Sequence, residues 1–404
     1  MTFDLTDPDF LRAPGPMLAQ MRTEGPIVRA RIPFMGEVYL TTTDEAARRL
    51  LKATDSFARD PGHAGGRSYQ KIMWWMPPFM RPLMHNMLLH DGAAHKRLRS
   101  LVDQAFARHA MLDLRPEIMA LADGLLDQID PDRPQDMVAA YARPLPLQVI
   151  CLLLGIPESD RARVQRWISP ISAPVNGWAM LRAFPGLYRL IRYFRAEFAD
   201  VRRTGGRPGL IRDLVLAEQD GDRLSEDELL SMVVMLFIAG HETTVHLVSN
   251  GIAGCIDAGN LGPELANSPG RMAIAVEEFM RFYTPVMMTK PLFARHDTEF
   301  EGTPLRTGDK IVALLIGANH DPARVEAPSE MRPERRPNPH LGFGHGPHVC
   351  LGIQLARIEA QVAIERLFLR YPNAQFAVRR DEIVHGRRIG LRGLPRLPLR
   401  LRPA

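Results

Sequence analysis

The stretch LGFGHGPHVCLG, Leu341–Gly352, places a cysteine in a loop that is crowded with glycine. Glycine permits tight backbone paths and the close approach of a flat partner, because it carries no Cβ. The chain has three cysteines, Cys151, Cys255 and Cys350, and their spacings form no even framework. This argues against a disulfide scaffold and against a four-cysteine zinc site. We therefore interpret the loop as the binding site of a group that is not protein.

The composition of the 404 residues, 46% hydrophobic and 24% charged, predicts a globular protein with a large core. The longest apolar runs, residues 147–156 and 232–240, are shorter than the roughly 20 residues that span a bilayer, so we expect no membrane anchor. The N-terminus, MTFDLTDPDF, lacks the pattern of a secretory signal, which favours a cytoplasmic location. The net charge of +5 is mild and no basic stripe is interleaved with aromatic residues, so nucleic-acid binding is not expected.

Helical periodicity dominates the chain, and strand-like runs are few and short. The predicted helices are His95–Ala107, Glu117–Ile129, Pro208–Gln219, Ser225–Val248, Arg271–Phe282 and Leu351–Leu369, and the predicted strands are Glu37–Thr42, Lys310–Leu315 and residues 394–401. There is no internal repeat and no low-complexity linker. We therefore expect a mainly α protein with small β-sheets, folded as a single domain over residues 1–404.

The best-marked helix begins at Ser225, which forms a predicted capping box with Glu228. The residues that follow, LLSMVVMLFIAG, are apolar on nearly every side and indicate a helix that is buried all round. They lead directly into a polar cluster, AGHETT, at residues 239–244. Buried polar groups cost free energy unless they are paired or used, so this cluster is a second candidate site.

Two other kinds of site are disfavoured by spacing. His241-Glu242 followed by His246 resembles a zinc-hydrolase pattern, but that pattern needs two histidines four residues apart. A separation of five residues turns the second imidazole away from the first, because the helix has 3.6 residues per turn. The glycines of the Leu341–Gly352 loop resemble a phosphate loop, but the next required glycine is absent and no strand precedes them.

Four motifs, taken together and in this order, resemble those of the cytochrome P450 family and of its soluble bacterial members. The loop reads Phe343-Gly344-x-Gly346-x-His348-x-Cys350-x-Gly352, which is similar to the family's haem-ligand loop. The other three are Ala239-Gly240-x-Glu242-Thr243-Thr244, then Glu278-x-x-Arg281, then a Pro-rich meander with Arg335. The resemblance covers essentially the whole chain. It implies the cytochrome P450 fold, with haem between a long buried distal helix and a proximal Cys-loop helix.

The resemblance implies haem b as the cofactor and the thiolate of Cys350 as the ligand of its iron. A thiolate ligand donates electron density to iron and favours O–O cleavage. The further haem-binding positions that it implies are His95, Arg99, Ala239, Gly240, Phe343, Gly344, His348 and Gly352. The cations at His95, Arg99 and His348 would bind the haem carboxylates.

The catalytic residues that the resemblance implies, besides Cys350, are Glu242 and Thr243. They match the family's acid–alcohol pair, which supplies protons for dioxygen activation. Gly240 and the hydroxyl of Thr243 are expected to open a local kink in the helix and make room for dioxygen.

Three charged residues, Glu278, Arg281 and Arg335, resemble the family's buried ion-pair triad. A buried charge left alone is strongly destabilising, so we predict that the three are required together. The chain departs from the family where many bacterial members carry a propionate-binding arginine, since that position is Leu292. Lys290 lies nearby and receives no assignment.

The predicted activity is a monooxygenase that hydroxylates, or otherwise oxidises, a bulky hydrophobic small molecule. The segments that the resemblance places in the pocket are apolar and rich in methionine and aromatic residues, which suits an adaptable cavity, although many of the methionines could equally be ordinary core. These segments are residues 71–80, 167–178, 234–237 and 286–288. Desaturation, coupling or peroxide-driven oxidation by the same fold, and a non-catalytic haem gas sensor, remain as alternatives.

The chain contains no flavin or iron–sulfur segment, so its electrons are expected from outside. We expect an acidic ferredoxin and its reductase to pass them from NAD(P)H. Lys96, Arg97 and Arg357 are predicted to form part of the docking face, where positive charge would attract an acidic partner.

Overall fold

The structure, a computed structural model, describes residues 3–33, 35–74, 76–107, 114–168, 177–219, 221–268 and 270–402, apart from the side chains of residues 177–182 and 219. Within this part of the chain there are fifteen α-helices and twelve short strands. The predicted fold class, mainly α with small sheets, is confirmed.

The helices are α1 (Pro8–Arg12), α2 (Gly15–Glu24), α3 (Asp44–Lys52), α4 (Tyr69–Ile72), α5 (Gly92–Ala107), α6 (Arg115–Leu126), α7 (Pro144–Leu154), α8 (Glu158–Ile168), α9 (Gly177–Thr204), α10 (Leu210–Leu216), α11 (Glu226–Asp257), α12 (Gly262–Ala266), α13 (Arg271–Tyr283), α14 (Leu315–Asn319) and α15 (Ile353–Arg370). The strands are β1 (Ile27–Ile32), β2 (Gly36–Thr41), β3 (Phe57–Ala58), β4 (Gln135–Asp136), β5 (Glu218–Gln219), β6 (Asp222–Arg223), β7 (Leu292–Ala294), β8 (Thr298–Phe300), β9 (Thr303–Leu305), β10 (Lys310–Val312), β11 (Gln375–Phe376) and β12 (Pro398–Arg400).

The chain divides into two compact units. The first unit comprises Met1–Gly66, Arg115–Pro144 and Thr243–Ala404, and the second comprises Arg67–Leu114 and Leu145–Glu242. Helix α11 contributes its first part to the second unit and its last part to the first. The single domain over residues 1–404 stays a prediction.

The first unit contains a five-stranded sheet in the order β1-β2-β10-β7-β3. Strands β1 and β2 are antiparallel with Ile27 opposite Thr41, whereas β10 lies parallel to β2. Leu40 and Val312 pack on this sheet in an apolar cluster that also contains Met287 and Met288. Burial of this cluster stabilises the unit, because apolar side chains are removed from water.

Helix α15 packs against α6, α12 and α13 in the first unit. The buried hydroxyl of Tyr141 donates a hydrogen bond to the carbonyl oxygen of Ala363 at 2.8 Å, inside α15. In the second unit, α9 packs against α8 and α10, and α10 also packs against α5. Helix α5, which carries His95 and Arg99, and helix α15, which follows the cysteine loop, are therefore each held by neighbours within their own unit.

Helix α11 begins as predicted. The backbone N–H of Ser225 donates to the carboxylate of Glu228 at 2.8 Å, and the N–H of Glu228 donates to the Ser225 hydroxyl at 3.3 Å. These two bonds are the capping box. The helix continues nine residues beyond the predicted end at Val248, to Asp257.

Among the described residues, α11 is the one helix long and apolar enough to cross a bilayer. Its apolar window has a hydropathy of 1.4, and 61% of that window is buried inside the protein. A helix in the core of a globular protein can be equally long and apolar, so the length and composition of α11 are weak evidence for a membrane span.

Several predicted elements are shorter than expected; the strand predicted over residues 394–401, for example, spans only Pro398–Arg400. The strand that starts at Lys310 ends at Val312, because the N–H groups of Ala313 and Leu314 donate to the hydroxyls of Thr289 and Thr41 at 3.2 and 3.1 Å. The predicted helix from Pro208 begins only at Leu210, after Gly209 with a φ of +148°. Side-chain hydroxyls and positive φ angles both end regular structure.

Candidate active site

The cysteine loop folds back on itself directly before α15. The N–H of Cys350 donates to the carbonyl oxygen of Phe343 at 2.9 Å, and the N–H of Gly344 donates to that of Leu341 at 2.8 Å. Gly344 and Gly346 have φ angles of +75° and +71°, in the left-handed region that favours glycine. The loop thus carries Cys350 to a position three residues before the first residue of α15.

The three cysteines differ in their surroundings. Cys350 is partly exposed and outside any disulfide, whereas Cys151 and Cys255 are fully buried. Burial raises the pKa of the Cys151 thiol to about 12 and raises the pKa of Cys255 as well. Since a metal ligand must be a thiolate, Cys350 is the cysteine whose chemistry fits an iron ligand.

The predicted ion-pair triad is present in the first unit. Arg281 donates to both oxygens of Glu278 at 2.7 Å, and Arg335 donates to the same carboxylate at 3.2 Å. All three side chains are buried. Both arginines also donate to backbone carbonyls, those of Asn319, Pro328, Glu326, Ala327 and Glu330. The triad therefore holds the end of α13 to the meander that precedes the cysteine loop.

The polar cluster of α11 lies on an open stretch of an otherwise buried helix. Ile238 is 49% exposed and Ala239 is also exposed. Glu242 and Thr243 are partly exposed, while Phe237 is fully buried. An apolar surface next to an acid and a hydroxyl is the environment that a flat, mainly apolar macrocycle and a proton-dependent reaction require.

A local kink was expected at Gly240, but α11 is a continuous α-helix from Glu226 to Asp257. Instead, Gly240 lies close to α7, since a Cβ at this position would be 3.1 Å from the Cδ1 atom of Ile150. The glycine therefore allows two helices of the second unit to approach each other.

The predicted haem-propionate cations belong to different parts of the chain. His95 and Arg99 lie one turn apart on α5 in the second unit, and His95 is buried. The Nε atom of Arg99 donates to both oxygens of Asp103, at 2.9 and 3.0 Å. His348 lies in the first unit, in a 3-10 turn that spans Gly346–His348. Spacing of four residues on a helix places His95 and Arg99 on one face, as a shared ligand would require.

A further cation, Arg59, was not predicted. Its Nη1 atom donates to the backbone carbonyl of Lys290 at 3.0 Å, and its side chain is buried. Burial, followed by the positive charge of Arg59, lowers the pKa of Lys290. The two residues meet because β3 pairs with β7, with Phe57 opposite Ala294. No local pattern could have indicated this, since 231 residues separate them.

The predicted pocket segments differ in burial where the structure describes them: residues 234–237 and 286–288 are mostly buried, whereas most of residues 71–80 are partly or fully exposed. Phe237 is fully buried, with its ring centroid 5.9 Å from that of Phe194. Met287 and Met288 belong to the apolar cluster of the first unit. Trp74 is 70% exposed. Trp75 and residues 169–176 of the other predicted segments lie outside the described residues.

Two glycines of the cysteine loop allow a matched test of backbone packing. A Cβ on Gly346 would overlap the backbone carbonyl of Leu51, whereas the nearest atom to a Cβ on Gly344 is 3.9 Å away. Both have positive φ, so alanine costs about 1–2 kcal/mol of unfolding free energy at either position. The overlap adds about 1–3 kcal/mol at Gly346 alone.

We therefore expect Gly346→Ala to lower the free energy of unfolding in urea by more than Gly344→Ala does. The fraction of purified protein that carries haem should follow the same order. Equal losses in the two variants would contradict the close packing of the loop on α3.

The chain is similar in sequence to known proteins over nearly its whole length. The family described as Cytochrome P450 matches residues 272–379, which include the triad and the cysteine loop. A vitamin D(3) 25-hydroxylase of Pseudonocardia autotrophica is 34% identical, over 99% of this chain and 96% of its own length.

Two solved structures are similar over nearly their full length. The polyketide synthase cytochrome P450 PksS of Bacillus subtilis 168 has a TM-score of 0.88 and 32% identity, over 99% of this chain and all of its own. The myxobacterial cytochrome P450 CYP267B1, in complex with myristic acid, has a TM-score of 0.87 and 34% identity, over 99% of both chains. With a cytochrome P450 match over the cysteine loop and the buried triad, and with relatives similar over nearly its full length, the chain belongs to the cytochrome P450 family and is a haem b-binding monooxygenase.

Proposed function

We propose that this enzyme uses Cys350 as its iron ligand and the Glu242–Thr243 pair as its proton source, and that it oxidises a bulky hydrophobic small molecule. The observation that carries the proposal is the partial exposure of Glu242 and Thr243, next to the exposed Ile238 and Ala239, on a long helix whose apolar part is mostly buried.

The residues that would hold haem follow from the motifs. Cys350 binds the iron, and Phe343, Gly344 and Gly352 line the same loop. Ala239 and Gly240 present the open stretch of α11 to the macrocycle. His95, Arg99 and His348 bind its carboxylates, because imidazole and guanidinium groups form charge-assisted hydrogen bonds with carboxylates.

When bound, haem supplies the dioxygen-activating chemistry, with electrons from outside the chain. The carboxyl group of Glu242 takes protons from solvent and releases them to the hydroxyl of Thr243. The Thr243 hydroxyl can accept a proton and donate one, so it would pass them on towards the haem site. A positioned acid of this kind contributes about 10²–10⁴-fold to a proton-dependent step.

The test compares Thr243→Ala with Thr243→Ser, which keeps the hydroxyl. We expect Thr243→Ala to consume NAD(P)H while forming several-fold less oxidised product and releasing more hydrogen peroxide, and Thr243→Ser to retain most product formation. Glu242→Gln should slow product formation by about 10²-fold. Unchanged product yield in Thr243→Ala and Glu242→Gln would overturn the proton role and favour peroxide-driven chemistry.

The hydrophobic class of substrate is supported by the exposed apolar side chain of Ile238 beside the acid–alcohol pair. The relative named as a vitamin D(3) 25-hydroxylase and the similar structure with bound myristic acid point in the same direction. Spin-state shifts of the haem would report binding of vitamin D3, myristic acid and small charged compounds. Shifts produced by the small charged compounds alone would overturn the hydrophobic class.

The electron donor in this proposal is a ferredoxin with its reductase, acting with NAD(P)H in the cytoplasm. Of the three predicted docking residues, Arg97 donates to Glu228 at 2.7 Å and to Asp222, and Arg357 pairs with Glu277 at 2.6 Å. Lys96 is exposed, with no ion pair to any described residue. Of the three residues, Lys96 is therefore the one whose charge we propose attracts the acidic ferredoxin.

Reversal of charge tests this assignment. Lys96→Glu should slow reduction by ferredoxin at low salt, whereas Arg133→Glu, at an exposed position with one weak ion pair, should not. Equal reduction rates in both variants and the wild type would remove Lys96 from the docking surface.

A further inference from the structure

The cysteine loop has a second anchor on α13, separate from the triad. Glu277 precedes Glu278 in the sequence, and its carboxylate is half-buried in the first unit. Its Oε2 atom lies 3.2 Å from the Nε2 atom of His340, immediately before the loop. Its two oxygens also accept hydrogen bonds from Arg357 of α15, at 2.8 and 2.6 Å. One carboxylate thus joins the residue before the loop to the helix after it.

The hydrogen bonds of His340 define its tautomer. Its Nδ1 atom accepts a hydrogen bond from the backbone N–H of Gly342 at 3.1 Å, so this nitrogen carries no proton. The proton therefore resides on Nε2, which donates to Glu277. The histidine is buried and bonded at both ring nitrogens, which holds its orientation and the first turn of the loop.

Arg357 also contacts Phe343, the loop residue that follows Gly342. Its guanidinium carbon lies 5.2 Å from the centre of the Phe343 ring, and the His340 ring is 5.9 Å from the same ring. The two groups that bond to Glu277 therefore also contact Phe343. Phe343 in turn accepts the hydrogen bond from the N–H of Cys350 through its carbonyl oxygen.

The loop also lies tightly against α13 at this point. A Cβ on Gly342 would overlap the side chain of Met280. Glu277, Met280 and Arg281 are three and four residues apart, so they share one face of the helix. The loop is therefore held to this face by packing at Gly342 and by hydrogen bonds at His340.

We propose that Glu277 and His340 are positioning residues that hold the Gly342–Phe343 segment and, through it, the thiolate of Cys350. The proposal rests on the proposed role of Cys350 as the iron ligand. Hydrogen bonds from His340 and Arg357 outweigh the effect of burial and lower the pKa of Glu277 to about 2, so the carboxylate is charged at neutral pH. Partners of this kind orient a metal ligand without touching the metal.

The test uses three substitutions at His340 on the haem-loaded enzyme. His340→Asn keeps an acceptor for the Gly342 N–H but does not reach Glu277, and His340→Gln keeps a donor for Glu277 but no acceptor near Gly342. His340→Leu removes both. Glu277→Gln removes the negative charge that bonds to His340 and Arg357. Gln354→Ala, at an exposed position early in α15, is the matched control.

Two readouts other than turnover report the position of the thiolate. They are the rate of haem transfer to apomyoglobin and the share of the reduced carbon monoxide complex that lacks the long-wavelength Soret band. We expect His340→Leu and Glu277→Gln to transfer haem about tenfold faster and to increase that share. His340→Asn and His340→Gln should fall between these variants and the wild type, and Gln354→Ala should match the wild type.

Wild-type transfer rates and spectra in His340→Asn, His340→Gln and Glu277→Gln would overturn the proposal. If His340→Leu does not fold, the two amide variants still decide it. Absence of the long-wavelength band in the wild type is a different result, because it would refute the thiolate ligand itself.

Discussion

Cys350→Ser is expected to lose the long-wavelength Soret band of the reduced carbon monoxide complex and, with it, monooxygenase activity. The band requires a thiolate ligand to the haem iron, and a serine hydroxyl would not replace that thiolate. The structure leaves no other cysteine for this role, since Cys151 and Cys255 are fully buried. The measurement is the difference spectrum of dithionite-reduced protein with and without carbon monoxide.

Cys255→Ser is the matched control. It removes a thiol of the same chain from a buried site in α11, and the long-wavelength band should remain. A band that survives in Cys350→Ser, or that disappears in Cys255→Ser, would contradict the assignment of the iron ligand.

Arg335→Ala is expected to destabilise the haem-loaded protein by about 3–5 kcal/mol, or to prevent its isolation. The substitution removes one of two cations from a carboxylate with no exposed surface. It also leaves the carbonyl oxygens of Glu326 and Ala327 without the donors that they have in the structure. Unfolding in urea, followed by far-UV circular dichroism and by haem absorbance, measures the loss.

Arg332→Ala provides the control in the same meander. The side chain of Arg332 is 37% exposed and pairs with Glu330, which is 62% exposed. Exposed ion pairs contribute about 0–1 kcal/mol, so this variant should fold and bind haem as the wild type does. Arg335→Ala protein with wild-type stability and full haem content would show that the triad is not required.

Features that depend on neighbours in the sequence were predicted well. The capping box at Ser225 and Glu228 needs only residues three apart, and both of its bonds are present. The pairing of Glu278 with Arg281 likewise follows from their separation of three residues on a helix. Arg335 was placed in the triad by resemblance alone, because 57 residues separate it from Glu278.

Other features depended on pairings that no local pattern contains. Arg59 lies beside Lys290 because β3 pairs with β7. Met287 and Met288, predicted to line the pocket, are buried in an apolar cluster with Leu40 and Val312. An apolar side chain satisfies either environment, so composition alone does not separate a pocket from a core.

The glycines and the cysteine of Leu341–Gly352, with the helical motifs before them, were enough to identify the fold and to predict the iron ligand. These features depend on the residue itself or on residues close to it in the sequence, as a thiol, a glycine with positive φ and a helix cap all do. Only the tertiary structure shows that Glu277 bonds to both His340 and Arg357, across 63 and 80 residues. Such contacts arise when elements that are distant in the sequence pack together. The sequence around Glu277 does not indicate them, because helical spacing relates a residue only to neighbours three and four positions away.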